Sequence, residues 1–166
     1  CLCGQGKVPW LWMLGLTMLA AVSFADDLHD LWYLPRLGVQ VLATACLLMQ
    51  IAVDAPISMQ TSAVQWLAAC TLLVLAIMLI NLYNFMDGLN GMLACMSLSM
   101  LIPAWCVNRW VVRYMPDELF YFTLIPTLIF FFFNYRAQPK CFSGDVGSIV
   151  LGYVMVYIVF LLLVKT

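Results

Sequence analysis

Six long apolar runs, separated by short polar stretches, dominate this 166-residue chain. They cover residues 8–25, 37–53, 64–83, 89–107, 118–133 and 147–164. About 20 helical residues at a rise of ~1.5 Å each cross a ~30 Å hydrocarbon layer, so each run is close to the length of a membrane span. Because backbone polar groups must be paired inside lipid, and because the runs do not alternate as barrel strands do, we expect helices. The sequence therefore predicts an all-α integral membrane protein with a bundle of about six transmembrane helices.

Composition supports the membrane assignment and excludes other classes of protein. Hydrophobic residues make up 66% of the chain and charged residues only 9%, whereas soluble domains carry about 25% charged residues. The net charge of −1 provides no basic surface, so we expect no nucleic-acid partner. We interpret residues 1–166 as a single transmembrane domain. Because the first residue is Cys and the last apolar run reaches almost to the end, we expect a fragment of a larger protein, truncated at both ends.

Acidic residues are concentrated in three of the polar stretches. Five of the eight lie in ADDLHD (25–30), NFMDGLNG (84–91) and FSGDVGS (142–148). Because each span reverses the direction of the chain, these three stretches share one membrane face. Acids beside hydrocarbon are costly and usually mark a functional site. The other acids, Asp54, Asp117 and Glu118, lie on the opposite face, where we interpret them as a loop residue and an ordinary helix start.

The first two stretches carry different signals. Asp26 and Asp27 are adjacent, and neighbouring carboxylates repel each other unless a cation or proton intervenes; the alternative is a polar helix flank or an N-cap. In NFMDGLNG, Asp87-Gly88 and Asn90-Gly91 are turn-forming pairs whose glycines permit positive φ and close approach of the backbone to a ligand. A plain hairpin turn explains those glycines, but it does not explain why Asn84 and an acid crowd the helix end.

The third stretch places an acid at the start of the last span. Asp145 would lie where the helix dipole favours anions and where exposed N–H groups can hold a phosphate. Phe142, three residues earlier, is suited to stacking on a planar base. The alternative interpretation of Asp145 is a plain N-cap.

Taken together, the three stretches predict phosphoryl transfer involving a lipid phosphate. Four of the carboxylates could converge on one divalent cation, and Mg²⁺ is usually held by one or two carboxylates together with phosphate oxygens and waters. The competing interpretations are a proton- or ion-coupled transporter, which predicts acids in mid-span, and a structural assembly protein, which predicts seams of small residues. The acids lie at span ends, which disfavours the transporter.

The order of these motifs resembles the polyprenyl-phosphate N-acetylhexosamine-1-phosphate transferases, glycosyltransferase family 4. The resemblance implies a bundle of about ten or eleven helices in the bacterial inner membrane, with the active site on the cytoplasmic face. Positive charges alone leave that orientation open. The implied reaction moves a sugar-1-phosphate from a UDP-N-acetylhexosamine to undecaprenyl phosphate and releases UMP. The implied cofactor is Mg²⁺, with Mn²⁺ as an alternative, and a homodimer is left open.

The resemblance also implies a role for each matching residue. The catalytic residues are Asp26, Asp27 and Asp87, the metal ligand is Asp145, and the substrate-binding residues are Asn84, Asn90, Phe142 and Gly88. Many members of the family have Asp where Asn90 stands, and Asn there favours the branch that initiates O-antigen synthesis over the peptidoglycan branch. Ser143 stands where Met is usual.

Overall fold

The computed structural model describes residues 9–29, 32–54, 63–136 and 138–165. This part of the chain contains helices α1 (Trp10–His29), α2 (Tyr33–Asp54), α3 (Ala63–Met86), α4 (Met92–Trp110), α5 (Asp117–Asn134) and α6 (Gly144–Lys165). All six are long and apolar enough to cross a membrane, and the described residues form no strand. The predicted all-α membrane fold is therefore confirmed. Asp30, in the first acidic stretch, lies outside the described residues.

The helices extend beyond the apolar runs that predict them. Helix α1 continues to His29 and α2 already begins at Tyr33, whereas the runs end at residue 25 and restart at residue 37. Hydropathy identifies the part of the chain that lies in the hydrocarbon layer. A helix can continue through the polar interface as long as its backbone hydrogen bonds are made. As a result, Asp26 and Asp27 belong to the last turns of α1, and Arg36 belongs to the first turn of α2.

Helix α6 lies at the centre of the described bundle. It contacts α1, α2, α3 and α4, and it is the most buried of the six helices. Glycines allow close crossings: a Cβ added at Gly152 would lie 2.9 Å from the Cβ of Tyr83, and one added at Gly15 would overlap the hydroxyl of Tyr153. Small residues at such crossings let helix backbones approach closely in membranes. The central position of α6 brings its first turn, with Asp145, next to three other helices.

Polar pairs fix α2 against its neighbours. The side chains of Gln40 and Asn81 exchange two hydrogen bonds, of 3.2 and 3.0 Å, between α2 and α3. Gln40 is only 2% exposed, so leaving its amide unpaired would be costly. The hydroxyl of Tyr153 donates to the carbonyl of Ala43 at 3.1 Å, which joins α6 to α2. These bonds set the relative positions of α2, α3 and α6.

Polar contacts also order the opposite membrane face. Asp117 begins α5, as predicted, and its carboxylate accepts hydrogen bonds from Asn108, Arg109 and Arg113. Asp54 is the last residue of α2, so its interpretation as a loop residue is wrong. The amide of Gln50 and the hydroxyl of Tyr157 both donate to the Asp54 carboxylate at 3.1 Å. The carboxylates of Asp54 and Asp117 are thus both engaged in hydrogen bonds on this face.

Candidate active site

The structure brings residues from α1, α3 and α6 together at one end of the helix bundle. Asp26 and Asp27 come from the end of α1, Asn84 from the last turn of α3, and Asp145 from the first turn of α6. We call this group of four residues the acidic end. Their meeting follows from the packing of α6 against both α1 and α3. Hydrogen bonds and ion pairs to the three carboxylates link these residues.

Asp27 lies against the first turn of α6. One of its carboxylate oxygens, Oδ1, accepts a hydrogen bond of 3.3 Å from the backbone N–H of Asp145. Gly144 has a φ of +64°, which disfavours any residue with a side chain, and a Cβ there would lie 3.3 Å from Oδ2 of Asp27. The first N–H groups of a helix have no partner within the helix and attract anions. The carboxylate that satisfies the start of α6 is therefore that of Asp27, and the interpretation of Asp145 as a plain N-cap is wrong.

Asn84 joins α3 to α6. Its side-chain N–H group donates to Oδ1 of Asp145 at 2.8 Å and to Oγ of Ser148 at 3.1 Å. Ser148 is fully buried and donates in turn to the carbonyl of Gly144 at 3.0 Å. These bonds fix the orientation of the Asp145 carboxylate from the side of α3. Ser148 lies within the FSGDVGS motif, but its spacing alone gave no sign of this contact.

Arg36 bridges two of the carboxylates, and the sequence did not single it out. Its Nη1 atom lies 2.7 Å from Oδ2 of Asp26 and 2.8 Å from Oδ2 of Asp145. The three side chains are partly buried, with exposed fractions of 24% for Arg36, 12% for Asp26 and 30% for Asp145. The contact with Asp26 is a charge-assisted hydrogen bond, and the contact with Asp145 is a short ion pair. The available signal was position: Arg36 is the first described Lys or Arg after the Asp pair and lies on the same membrane face.

The turn between α3 and α4 is tied to the segment that follows α5. The N–H group of Gly91 donates to Oδ1 of Asn134, and the side chain of Asn134 donates to the carbonyl of Cys141 at 2.8 Å. Asn90 donates to the carbonyl of Arg136 at 3.2 Å. Asn134 is 1% exposed, so its amide acts as an internal link. The sequence did not predict this role, because Asn134 stands there only as the last residue before a polar segment.

The two glycines of this turn differ in conformation. Gly91 has a φ of +76°, and a Cβ there would overlap the ring of Tyr135. Among the glycines that the structure describes, positive φ occurs only at Gly91 and Gly144. Gly88 therefore does not use the left-handed freedom expected of it. It is exposed, and it forms the turn through a hydrogen bond of 3.4 Å from its N–H group to the carbonyl of Phe85.

Asp87 and Phe142 stand apart from the bonds of the acidic end. Oδ1 of Asp87 is buried and has no hydrogen-bond partner among the described residues. Leaving a buried acceptor unpaired costs about 1–3 kcal/mol, and more for a charged group, which calls for an explanation such as a ligand or an ion. The ring of Phe142 is 67% exposed. Both side chains are thus available to a bound molecule.

The four carboxylates do not form one ready-made ligand cluster. Within the described residues, no group of three or more His, Cys, Asp or Glu side chains could hold a metal ion. The four carboxylates therefore do not converge on one point as expected. Asp26 and Asp145 pair with Arg36, Asp27 bonds to the first turn of α6, and Asp87 stands apart from these bonds. Their chemistry nevertheless fits Mg²⁺, which needs only one or two carboxylates when phosphate oxygens and waters complete its shell. Asp145 and Asp27 supply two carboxylates for that requirement.

Comparison with protein families gives one match. The sequence model of glycosyl transferase family 4 matches residues 9–163. The match extends from just before α1 into the last turns of α6. It therefore includes the acidic end and the segments that precede α4 and α6. Searches of curated proteins and of solved structures found no match.

Proposed function

The chain belongs to glycosyl transferase family 4, and we propose that it transfers a sugar-1-phosphate from a UDP-N-acetylhexosamine to undecaprenyl phosphate, releasing UMP. Membership supports a transferase of the polyprenyl-phosphate sugar-phosphate type. It implies a lipid-phosphate acceptor and a nucleotide-sugar donor. The uridine nucleotide, the N-acetylhexosamine and the undecaprenyl chain are the finer parts of the proposal.

The observation that carries the proposal is the meeting of Asp26, Asp27, Asn84 and Asp145 at one end of a membrane bundle. A lipid phosphate lies at the membrane surface, so a transferase that uses it needs its charged groups at helix ends. A transporter would instead place acids midway along its helices. The resemblance assigns this end to the cytoplasmic face of a bacterial inner membrane, and the six spans support a multi-pass protein.

The proposed reaction is a displacement at phosphorus. An oxygen of the acceptor phosphate attacks the phosphorus that carries the sugar, and the bond from that phosphorus to the bridging oxygen breaks. UMP leaves with the bridging oxygen, and the products are UMP and a lipid diphosphosugar. In phosphoryl transfer of this kind, catalysis consists mostly of positioning and electrostatic stabilisation.

Within this scheme the Asp pair serves the acceptor. We assign Asp27 as the carboxylate that takes a proton from the acceptor phosphate, because it is exposed, whereas Asp26 forms a short ion pair with Arg36. The ion pair engages Oδ2 of Asp26, whereas Asp27 is open to a bound phosphate. Asp87, with one buried and unpaired oxygen, faces the reacting phosphates or their cation.

The donor would be held by the turn after α3 and by the segment before α6. Phe142 stacks on the uracil ring, a contact worth about 1–3 kcal/mol per base in nucleic-acid complexes. Gly88 and Asn90, both exposed on the turn, contact the rest of the donor. Asn at position 90 supports the O-antigen initiating branch, and hence a role at the start of lipid-linked polysaccharide synthesis.

A divalent cation completes the proposed site. Asp145 would be its first protein ligand, and Asp27 and Asp87 would be further candidate ligands. Asn84 would keep the Asp145 carboxylate in place. When bound, Mg²⁺, or Mn²⁺ in its place, neutralises phosphate charge and polarises the phosphorus–oxygen bond.

A donor panel tests the proposal. Membranes that contain the protein would be given undecaprenyl phosphate, Mg²⁺ and one UDP-N-acetylhexosamine at a time, and the lipid fraction would be analysed for a diphosphosugar product. We expect product with at least one donor, and none without the lipid or without Mg²⁺. Folded protein that forms no lipid-linked sugar from any UDP-N-acetylhexosamine would overturn the proposed donor class.

A further inference from the structure

We propose that Arg36 is a resident counter-ion of the acidic end, which holds Asp26 of α1 and Asp145 of α6 together before a divalent cation binds. In this account Arg36 is a positioning residue, and Mg²⁺ takes over part of its electrostatic role. The inference rests on the proposed function only in naming Mg²⁺ as the cation. The pairing of the three side chains is independent of any reaction.

The geometry of the contact is that of a bridge between helices. A single nitrogen, Nη1, contacts one oxygen of each carboxylate, at 2.7 Å for Asp26 and 2.8 Å for Asp145. Arginine frequently binds a single carboxylate through two parallel hydrogen bonds. Here one donor group instead joins acids from α1 and α6 while it is anchored on α2. Three helices are therefore tied together at one charged point.

Burial makes this bridge more important than a surface ion pair. All three side chains are mostly covered, with exposed fractions between 12% and 30%. Screening by salt and water is weaker in such surroundings. Two carboxylates that share a site repel each other. Removing the guanidinium would leave Asp26 and Asp145 facing each other without this positive charge.

The two oxygens of Asp145 have separate partners, which links Arg36 to the metal. Asn84 holds Oδ1 and Arg36 holds Oδ2. A divalent cation that binds the Asp145 carboxylate must share an oxygen with Asn84 or with Arg36. The positive charges of the cation and of the Arg36 guanidinium would also repel each other. Mg²⁺ and Arg36 therefore supply the same compensation of charge. A protein that lacks the arginine should depend on Mg²⁺ for the assembly of this end.

A second arginine provides a matched control. Arg113 also pairs with an aspartate, Asp117, but at 3.3 Å, within one local segment on the opposite membrane face. Its side chain is 74% exposed, so its ion pair is screened by water. Substituting Arg113 removes one positive charge from the protein without touching the acidic end.

The test is thermal unfolding of the purified protein in lipid nanodiscs, in a chelating buffer and in buffer with Mg²⁺, with no sugar nucleotide present. We expect Arg36→Gln to lower the unfolding midpoint by several degrees in chelator, and Mg²⁺ to restore most of that loss. The Mg²⁺-induced rise should therefore be larger in Arg36→Gln than in the wild type. Arg36→Lys should stay close to wild type, because one charged nitrogen can make both contacts. Arg113→Gln should change neither the midpoint in chelator nor the rise.

Two results would overturn the inference. One is an Arg36→Gln variant whose midpoint in chelator, or whose rise with Mg²⁺, equals that of the wild type. The other is an Arg36→Lys variant that loses as much stability in chelator as Arg36→Gln. If Arg36→Gln fails to fold, an Arg36→Lys variant that also fails to fold overturns the inference. Neither readout requires sugar transfer. A larger Mg²⁺-induced rise in a protein that forms no lipid-linked sugar would support the counter-ion role while contradicting the proposed function.

Discussion

The side chain of Asn84 donates a 2.8 Å hydrogen bond to the carboxylate of Asp145, across 61 positions of the chain. This bond joins the last turn of α3 to the first turn of α6. An amide that donates to a carboxylate fixes its orientation while leaving its charge in place. The two motifs that seemed most specific in the sequence therefore form one unit at the membrane surface.

Replacing Asn84 should impair turnover more than folding. Asn84→Ala frees the Asp145 carboxylate to rotate, and we expect kcat/KM for the UDP-sugar to fall by about 10–100-fold, as for residues that orient a metal ligand. The stability change should be about 1–3 kcal/mol, because the substitution removes two hydrogen bonds, one of them to a carboxylate. Kinetics of UMP release and thermal unfolding measure the two effects. Ser99→Ala, which removes an exposed hydroxyl bonded within α4, is the control.

Replacing Phe142 should affect the donor and spare the acceptor. Loss of stacking on uracil corresponds to about 1–3 kcal/mol, so Phe142→Ala should raise KM for the UDP-sugar severalfold or more, whereas KM for undecaprenyl phosphate stays the same. Phe142→Tyr should keep most of the affinity. Phe122→Ala, which removes an even more exposed ring from α5, should change neither constant. Equal losses for donor and acceptor in Phe142→Ala would refute the stacking role.

The two glycines of the α3–α4 turn should differ in tolerance. Gly91→Ala forces a side chain into left-handed backbone and against the ring of Tyr135, and the backbone term alone costs about 1–2 kcal/mol. A Cβ at Gly88 meets only ordinary contact, 3.5 Å from the carbonyl of Phe85. Thermal unfolding should therefore show a clear drop for Gly91→Ala and a small change for Gly88→Ala. The reverse order would mean that the turn has another conformation.

The number and order of the helices were predictable because lipid imposes a simple rule. Each span must be apolar over a fixed length, so the six runs identified α1 to α6. Their ends were less predictable, since interfacial residues such as Asp26 and Arg36 are polar yet helical. The same limit explains why Asp54 was assigned to a loop: hydropathy does not reveal where the backbone stops being helical.

The candidate site was predictable in composition but not in connection. The sequence brought Asp26, Asp27, Asn84 and Asp145 to one face, since that requires only a count of spans. It could not predict that Arg36 bridges two of them or that Asn134 holds the turn of Gly91. Those contacts depend on how each helix is rotated and tilted against α6. Ion pairing also explains why the carboxylates gather around Arg36 and α6 instead of forming one cluster.

The most direct test of the account compares two isosteric substitutions at opposite ends of the bundle. Asp145→Asn removes a charge from the acidic end, and Asp54→Asn removes one from the opposite face. UMP release would be measured with undecaprenyl phosphate, the UDP-sugar and Mg²⁺. We expect Asp145→Asn to lose turnover by about 100-fold or more, the scale of losing an electrostatic contact to the transition state, and Asp54→Asn to keep wild-type turnover. Wild-type turnover in a folded Asp145→Asn protein would contradict the assignment of the acidic end as the site of transfer.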